Sequence, residues 1–284
     1  MSDIFQSHIE GRIEADEVHI GLGVRVEPGV VIRGKGGPAK RVYLGDFSYI
    51  GQGTKIFAPE FILGDYTKLN ERTFGHGVNP LRIGRNCWFG GNVVLDSMGG
   101  LDIDDNVGIG AGSQLWTHVQ FGDIVEGSRF FSSRYMHIGK DAWFVGHCLV
   151  SPVKVEPRAM ALLGSVVTSD MLENRIYGGS PAKDLSEKVG YQFESRTVEQ
   201  KAAVLNRLIS EFGASQPALA EQLRCVTAYP EQPETGVTYF NVSDRTYLRQ
   251  NSEAEVVFLK TYVPLVKFAP SGAPALYSPL PPSD

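Results

Sequence analysis

The feature that most constrains this chain is an aliphatic residue that recurs every six positions between about residues 9 and 183. It is often followed by glycine, as in Leu44-Gly45, Ile50-Gly51 and Ile83-Gly84. A period of six matches neither the 3.6-residue turn of a helix nor the two-residue alternation of a half-buried strand. Three short strands joined by tight bends would instead form triangular coils of about eighteen residues, which bury their aliphatic residues against neighbouring coils. The repeat therefore predicts a mainly β protein, a left-handed parallel β-helix over residues 1–185.

A glycine-rich β-sandwich is the alternative fold, because the chain contains 32 glycines and glycine is common in tight turns. The sandwich is disfavoured because the aliphatic–glycine phase recurs over most of the first 185 residues. Three segments interrupt the phase and are predicted to leave the solenoid as loops, at 34–40, 70–80 and 119–136. Long excursions from a rigid scaffold usually carry function or build an interface between subunits.

The last hundred residues, 186–284, have a different pattern and are predicted to form a small α+β appendage. Thr197 and Gln200 fit a capping box, and apolar residues at helical spacing follow them up to a stop at Gly213. Strands are predicted beyond this helix, at 224–229, 238–242 and 256–262.

Composition and charge exclude several classes of function. The net charge of −5 and the pI of about 5.7 predict no basic surface for nucleic acid. No apolar run approaches the roughly 18 residues that span a bilayer, and the start of the chain does not resemble a signal peptide. The three cysteines form no metal-binding or disulfide spacing. We therefore expect a cytoplasmic protein with no structural metal.

Four segments resemble the hexapeptide-repeat acyltransferases of the maltose, galactoside and nodulation acetyltransferase type. They are Asp104–Gly110, Leu115–His118, Ala161–Thr168 and Tyr177–Lys183. The resemblance covers about residues 9–185, and its closing Gly-Ser-Pro-Ala-Lys sequence is typical of proteins that bind acyl-coenzyme A. It implies an enzyme that uses acetyl-CoA as the acyl donor.

The resemblance implies that His118 is the general base, which removes a proton from the acceptor as that atom attacks the thioester. An imidazole suits this task because its ordinary pKa is about 6.5. The resemblance also assigns Asn92 and Asp96, one coil before the histidine, to binding of the acceptor.

For the acyl donor, the resemblance implies a groove formed by Gly146, Leu163, Thr168 and Lys183. In similar proteins the main chain of the first two positions binds the pantetheine arm. Thr168 and Lys183 would then lie nearer the nucleotide phosphates, where a positive charge favours binding.

Several functions compete on this fold. A γ-type carbonic anhydrase needs three zinc-binding histidines, two of them five residues apart, and His118 has no histidine five residues before or after it. A non-catalytic β-helix scaffold would need neither the Thr-His turn nor the closing motif. Among acyltransferases, the absence of the additional N-terminal domains of other types favours transfer to a hydroxyl of a sugar or polysaccharide precursor. N-acetylation of an amino sugar or nucleotide-sugar remains the alternative. The resemblance further implies a homotrimer with active sites between subunits.

Overall fold

A computed structural model of the chain describes residues 3–262, 265–273 and 275–277. The chain divides into two compact units, of which the first comprises residues 3–193 with 276–277 and the second residues 194–275. The division follows Phe193, whereas the sequence predicted one after residue 185, and that boundary stays a prediction.

The first unit is a parallel β-helix, in which the chain passes repeatedly through three sheets in the order A, B, C. Sheet A contains His8–Ile9, Arg25–Val26, Tyr49–Ile50, Lys68–Leu69, Trp88–Phe89, Gly108–Ile109, Trp143–Phe144, Met160–Ala161, Ile176–Gly179 and Ala182–Asp184. Sheet B contains Arg12–Ile13, Val31–Arg33, Lys55–Phe57, Phe74–His76, Val94–Asp96, Gln114–Leu115, Leu149–Val150 and Val166–Val167. Sheet C contains Ala15–Ile20, Ala39–Leu44, Glu60–Leu63, Leu81–Ile83, Leu101–Ile103, Met136–Ile138 and Lys154–Val155. The predicted fold class, a left-handed parallel β-helix with a small α+β appendage, is confirmed.

The repeat arises because one residue of each short strand points into the prism. Leu95, Leu115 and Val150 are register partners on successive strands of sheet B, and each is at most 1% exposed. Burial of one such side chain contributes about 1.5–3 kcal/mol, and it is available only when the next coil covers it. The aliphatic residues therefore recur every six positions because they form one continuous core along the axis of the β-helix.

The corners between sheets explain the small and polar residues of the repeat. Asn86, Asn92 and Asn106 occupy corners with φ between 54° and 70°, a conformation that asparagine tolerates better than most residues. At another corner Gly110 donates its N–H to the carbonyl of Phe144 in the next coil, at 2.7 Å. A Cβ at Gly110 would overlap the carbonyl oxygen of Val145, so this close approach of two coils requires glycine.

The three predicted excursions have different outcomes. Residues 34–38 form a loop between sheets B and C, and residues 118–133 leave the coil as a hairpin with strands His118–Gln120 and Phe131–Ser133. The prediction of a loop at 70–80 is wrong, because this segment contains the regular strand Phe74–His76 of sheet B. Its inward position is Gly75, and the space beside it is filled by Ile56 and Leu81, so the aliphatic signal is missing there.

The second unit contains helices and a four-stranded sheet. Helix α1, Ser186–Val189, still belongs to the first unit; α2, Val198–Ser215, begins with the predicted capping box of Thr197 and Gln200. The remaining elements are α3 at Pro217–Ala220, α4 at Glu253–Tyr262, and strands Leu223–Val226, Thr238–Asn241, Thr246–Tyr247 and Ala269–Pro270.

The predicted strand at 256–262 is wrong, because these residues lie in α4. Ser252 accepts a hydrogen bond from the N–H of Glu255 and so caps the helix. Among the buried residues of α4, Ala254 and Phe258 lie four residues apart, as do Glu255 and Leu259, which is the spacing of one helical face. Outside residues 1–2, 263–264, 274 and 278–284, no helix is long and apolar enough to cross a membrane.

We predict that Gly110→Ala destabilises the first unit, because the added methyl group would collide with the main chain of the next coil. Overpacking of this kind costs about 1–3 kcal/mol. Chemical denaturation of the full chain measures the loss, with Gly36→Ala as the control because no atom lies within 4 Å of a Cβ at Gly36. Equal stability of the two variants would contradict the tight corner at Gly110.

Candidate active site

His118 lies where the chain leaves the regular coil. The strand Gln114–Leu115 of sheet B ends three residues before it, and His118 opens the hairpin by pairing with Ser133. Thr117, just before it, is fully buried and donates its hydroxyl to Asp96, at 2.8 Å. The turn is therefore anchored to the preceding coil, and this anchor holds His118 at the point where the hairpin begins.

Asp96 is the centre of this anchor. One carboxylate oxygen, Oδ2, lies 2.7 Å from His118 Nδ1 and accepts the main-chain N–H of Thr117 at 2.6 Å. The other oxygen accepts the N–H of Met98 at 3.1 Å. The residue is 0% exposed. Asp96 was predicted to bind the acceptor, and that role stays a prediction; in this structure its carboxylate faces the histidine, the Thr117 hydroxyl and the main chain.

The protonation of this pair follows from the partners of the carboxylate. Burial alone would raise the pKa of Asp96, but hydrogen bonds from His118 and Thr117 outweigh burial and hold the pKa below its ordinary value. An ionised carboxylate can only accept hydrogen bonds, so Nδ1 of His118 must carry the proton that it shares with Asp96. In the neutral ring, Nε2 then has the free lone pair that a general base requires. The side chain of His118 is 21% exposed, so this ring edge is not sealed inside the core.

His76 completes the cluster, although no role at this site was predicted for it. It is the register partner of Asp96 on the neighbouring strand of sheet B, and its Nδ1 lies 3.9 Å from Asp96 Oδ1. Its ring centroid lies 6.1 Å from that of His118 and 6.2 Å from that of Trp116. Burial lowers the pKa of His76, and although Asp96 opposes this shift, the nearby His118 adds to it. His76 is therefore a neutral imidazole at neutral pH, with one donor and one acceptor nitrogen.

A coil length of twenty residues would have predicted that His76 lies beside Asp96. Strands of sheet A at Lys68, Trp88 and Gly108 are register partners, so the chain advances twenty residues per coil in this region. His76 and Asp96 are separated by the same interval. With the predicted length of about eighteen residues per coil, His76 and Asp96 would not have been register partners.

Asn92 lies at the other edge of sheet B from Asp96. It occupies the corner between sheets A and B, is exposed, and accepts a hydrogen bond from Arg72 Nε at 2.9 Å. Within one chain, Asn92 and Asp96 therefore lie at opposite ends of one strand and do not share a site.

The residues predicted to bind the acyl donor also divide between the two edges of sheet B. Gly146 and Leu163 share the corner between sheets A and B, where the N–H of Gly164 donates to the carbonyl of Gly146 at 2.9 Å. Leu163 is 67% exposed beside that glycine. Thr168 follows the strand Val166–Val167 and lies at the corner between sheets B and C, on the His118 side.

Lys183 is exposed on the strand Ala182–Asp184, which forms an antiparallel hairpin with Ile176–Gly179. In the described part of the chain, no three His, Cys, Asp or Glu side chains are grouped in a way that could hold a metal ion.

No protein-family model matches this sequence, and no curated protein sequence matches it. The solved structures that are similar to it include the polysialic acid O-acetyltransferase OatWY, with a TM-score of 0.47 and 15% identity over 68% of this chain and 92% of that chain. LpxA, a UDP-N-acetylglucosamine acyltransferase from Bacteroides fragilis 9343, has a TM-score of 0.45 and 13% identity over 95% and 99% of the two chains. LpxA from Acinetobacter baumannii has a TM-score of 0.41 and 16% identity over 63% and 72%. At these identities the likeness concerns the fold alone.

We predict that Asp96 stabilises the fold at neutral pH and loses this effect in acid. Because its folded pKa is lowered, the stabilisation is complete above the unfolded value of about 3.9 and disappears as the pH falls through the folded pKa. The difference in free energy of unfolding between the wild type and Asp96→Asn should therefore shrink below about pH 4.

Urea denaturation between pH 7 and pH 2.5 measures this difference. Asp16→Asn, which changes an exposed carboxylate, is the matched control and should show little difference at any pH. A gap between the wild type and Asp96→Asn that stays constant with pH would contradict an ionised Asp96.

Proposed function

We propose that this chain is a hexapeptide-repeat acyltransferase that moves an acetyl group from acetyl-CoA to a hydroxyl of a sugar or polysaccharide precursor. The observation that carries the proposal is the hydrogen bond of 2.7 Å between His118 Nδ1 and the buried Asp96. It fixes the tautomer and the orientation of the imidazole, which a general base needs before it can receive a proton at Nε2.

The transfer follows from that lone pair. His118 Nε2 accepts the proton of the acceptor hydroxyl while the hydroxyl oxygen forms a bond to the thioester carbonyl carbon. The carbon–sulfur bond then breaks, and Nε2 returns the proton to the departing thiolate of coenzyme A. Protons balance over the cycle, and His118 ends as it began. Asp96 stays ionised and stabilises the imidazolium that exists between the two proton transfers.

The chain offers suitable surfaces for acyl-coenzyme A. Leu163 is 67% exposed beside the buried Gly146, whose carbonyl accepts the N–H of Gly164 at 2.9 Å, so Leu163 is the side chain of this corner that an extended pantetheine arm could contact. Thr168 and Lys183 supply a hydroxyl and a positive charge for the phosphates. Because Gly146 and Leu163 lie on one edge of sheet B and His118 on the other, a neighbouring chain would join the two halves of the site. This division supports the proposed homotrimer with active sites between subunits.

We predict that His118→Ala reduces turnover by about 10²–10⁴-fold, because that is the usual contribution of a general base. Asp96→Asn should lose a large part of the same factor, since an amide can no longer fix the tautomer of His118. Release of thiol from acetyl-CoA is followed with sugars, nucleotide-sugars and amino sugars as acceptors, and affinity for coenzyme A should be unchanged in His118→Ala.

Three results would contradict the proposal. Full activity of His118→Ala would mean that another group is the base. Acetylation of amines alone, with every sugar hydroxyl inert, would replace O-acetylation by N-acetylation of an amino sugar. A folded wild type that neither binds coenzyme A nor releases its thiol would favour the scaffold.

We further predict that Lys183→Ala weakens the binding of coenzyme A by about 1 kcal/mol, or roughly fivefold, the scale of a partly exposed hydrogen bond to a charged group. Calorimetric titration measures it, with Lys188→Ala as the control because that lysine is also exposed and lies five residues further along the chain. Dephospho-coenzyme A, which lacks the 3′-phosphate, is titrated as well. If the Lys183→Ala variant binds coenzyme A and dephospho-coenzyme A with equal affinity while the wild type prefers coenzyme A, then Lys183 contacts the 3′-phosphate. Equal affinities of both variants and the wild type would remove Lys183 from the donor site.

A further inference from the structure

An unbroken row of aromatic rings leads away from His118 along sheet B. Trp116 lies 6.2 Å from His118 between ring centroids, and His76 lies 6.2 Å from Trp116. Phe74 stacks on His76 at 5.0 Å with 28° between the ring planes, and Phe57 meets Phe74 edge-on at 6.2 Å. Neither the aliphatic repeat nor the general base requires this row.

The row lies on the outer face of the β-helix. Side chains alternate along a strand, and in Phe74–His76 the buried position is Gly75, so Phe74 and His76 both point outward. Phe74 is 40% exposed and Trp116 is 36% exposed, although aromatic rings of this size contribute most when they are covered. A partly exposed aromatic surface that reaches the catalytic histidine is therefore available to a ligand.

Its position along the axis distinguishes the row from the proposed donor site. Phe57, Phe74 and His76 come from the two coils before that of Asp96, whereas Gly146, Leu163 and Thr168 come from coils after that of His118. Successive coils are about 4.8 Å apart, so the two sets lie on opposite sides of His118. Since the base must touch the acceptor while the donor occupies the later coils, the earlier coils are the side from which the acceptor can approach.

The chemistry of the row fits a sugar ring. One face of a pyranose presents mainly C–H groups, which pack on aromatic rings, while its edge carries hydroxyls that need a few well-placed polar partners. His76 supplies such a partner, because its neutral ring can donate one hydrogen bond and accept another. Its Nδ1 is too far from Asp96, at 3.9 Å, for that carboxylate to satisfy it by a hydrogen bond.

We propose that Phe74, His76 and Trp116 form the acceptor subsite, in which a saccharide ring packs on the two apolar rings and hydrogen-bonds to His76. This inference rests on the proposed function and deepens it, because it assigns the acceptor to coils before His118 rather than to Asn92. An acceptor with a second sugar unit would extend over Phe57, away from the donor.

The first test separates acceptor binding from donor binding. Phe74→Ala should raise KM for the best sugar acceptor about tenfold, the equivalent of 1.4 kcal/mol, with little change in kcat or in KM for acetyl-CoA. Phe74→Tyr should restore KM, whereas Phe74→Leu, which keeps apolar bulk without a ring, should not. Phe193→Ala is the matched control, because Phe193 is 38% exposed and packs on Arg158 rather than near His118. An unchanged acceptor KM in Phe74→Ala would overturn the subsite.

The second test does not depend on catalysis. Saturation-transfer NMR with methyl glycosides of glucose and galactose and with maltotriose should give signals from ring C–H protons in wild type and in His118→Ala, but not in Phe74→Ala. If these signals appear while no sugar is acetylated, the proposed function fails and the saccharide site stands. If sugars are acetylated but the signals survive in Phe74→Ala, the function stands and the subsite fails. Light scattering completes the set: dissociation of the Phe74→Ala oligomer with an unchanged acceptor KM would identify the row as a subunit contact and overturn the proposal.

Discussion

Every part of the first unit depends on the contact between one coil and the next. A coil of two- or three-residue strands cannot bury its own aliphatic side chains, so its stability comes from the inward stack of residues such as Leu95, Leu115 and Val150 and from main-chain hydrogen bonds to both neighbours. The same contacts set the register of the outward side chains. His76 faces Asp96 because Gly75 faces Leu95, and the site is therefore a consequence of how the core is stacked.

Asp96 is one of several carboxylates buried in this scaffold, and like Asp102 it is 0% exposed. Removing the charge of Asp96 from water is unfavourable, and the protein offsets that cost with two main-chain donors, a hydroxyl and an imidazole. All four donors come from turns after strands of sheet B, where main-chain N–H groups are no longer engaged in the sheet. The arrangement orients His118 rigidly, although the hairpin that follows carries exposed apolar residues such as Phe121 and Phe130.

The sequence predicted the fold well because a six-residue period has few physical solutions. The capping box of α2 followed from local chemistry and is confirmed. His118 was selected through a resemblance, and its role stays a prediction. The strand Phe74–His76 was predicted as a loop because its inward position is Gly75, which has no side chain to continue the aliphatic repeat. Helix α4 was predicted as a strand for a different reason, namely that its β-branched residues are typical of strands. The hydrogen bond between Asp96 and His118 could not be predicted, since it depends on a coil length of twenty residues and on a turn that brings residue 118 back over residue 96.

The coils of the solenoid also stack at a fixed spacing along its axis. Each coil adds one strand spacing, about 4.8 Å, and contacts only the coils beside it, so whole coils can be gained or lost at the N-terminal end without moving His118, Asp96 or Thr168 relative to one another. Such changes would alter only the length of the outer face of sheet B ahead of His76. A solenoid built in this way can vary the length of this outer surface in steps of one coil while His118, Asp96 and Thr168 keep their positions relative to one another.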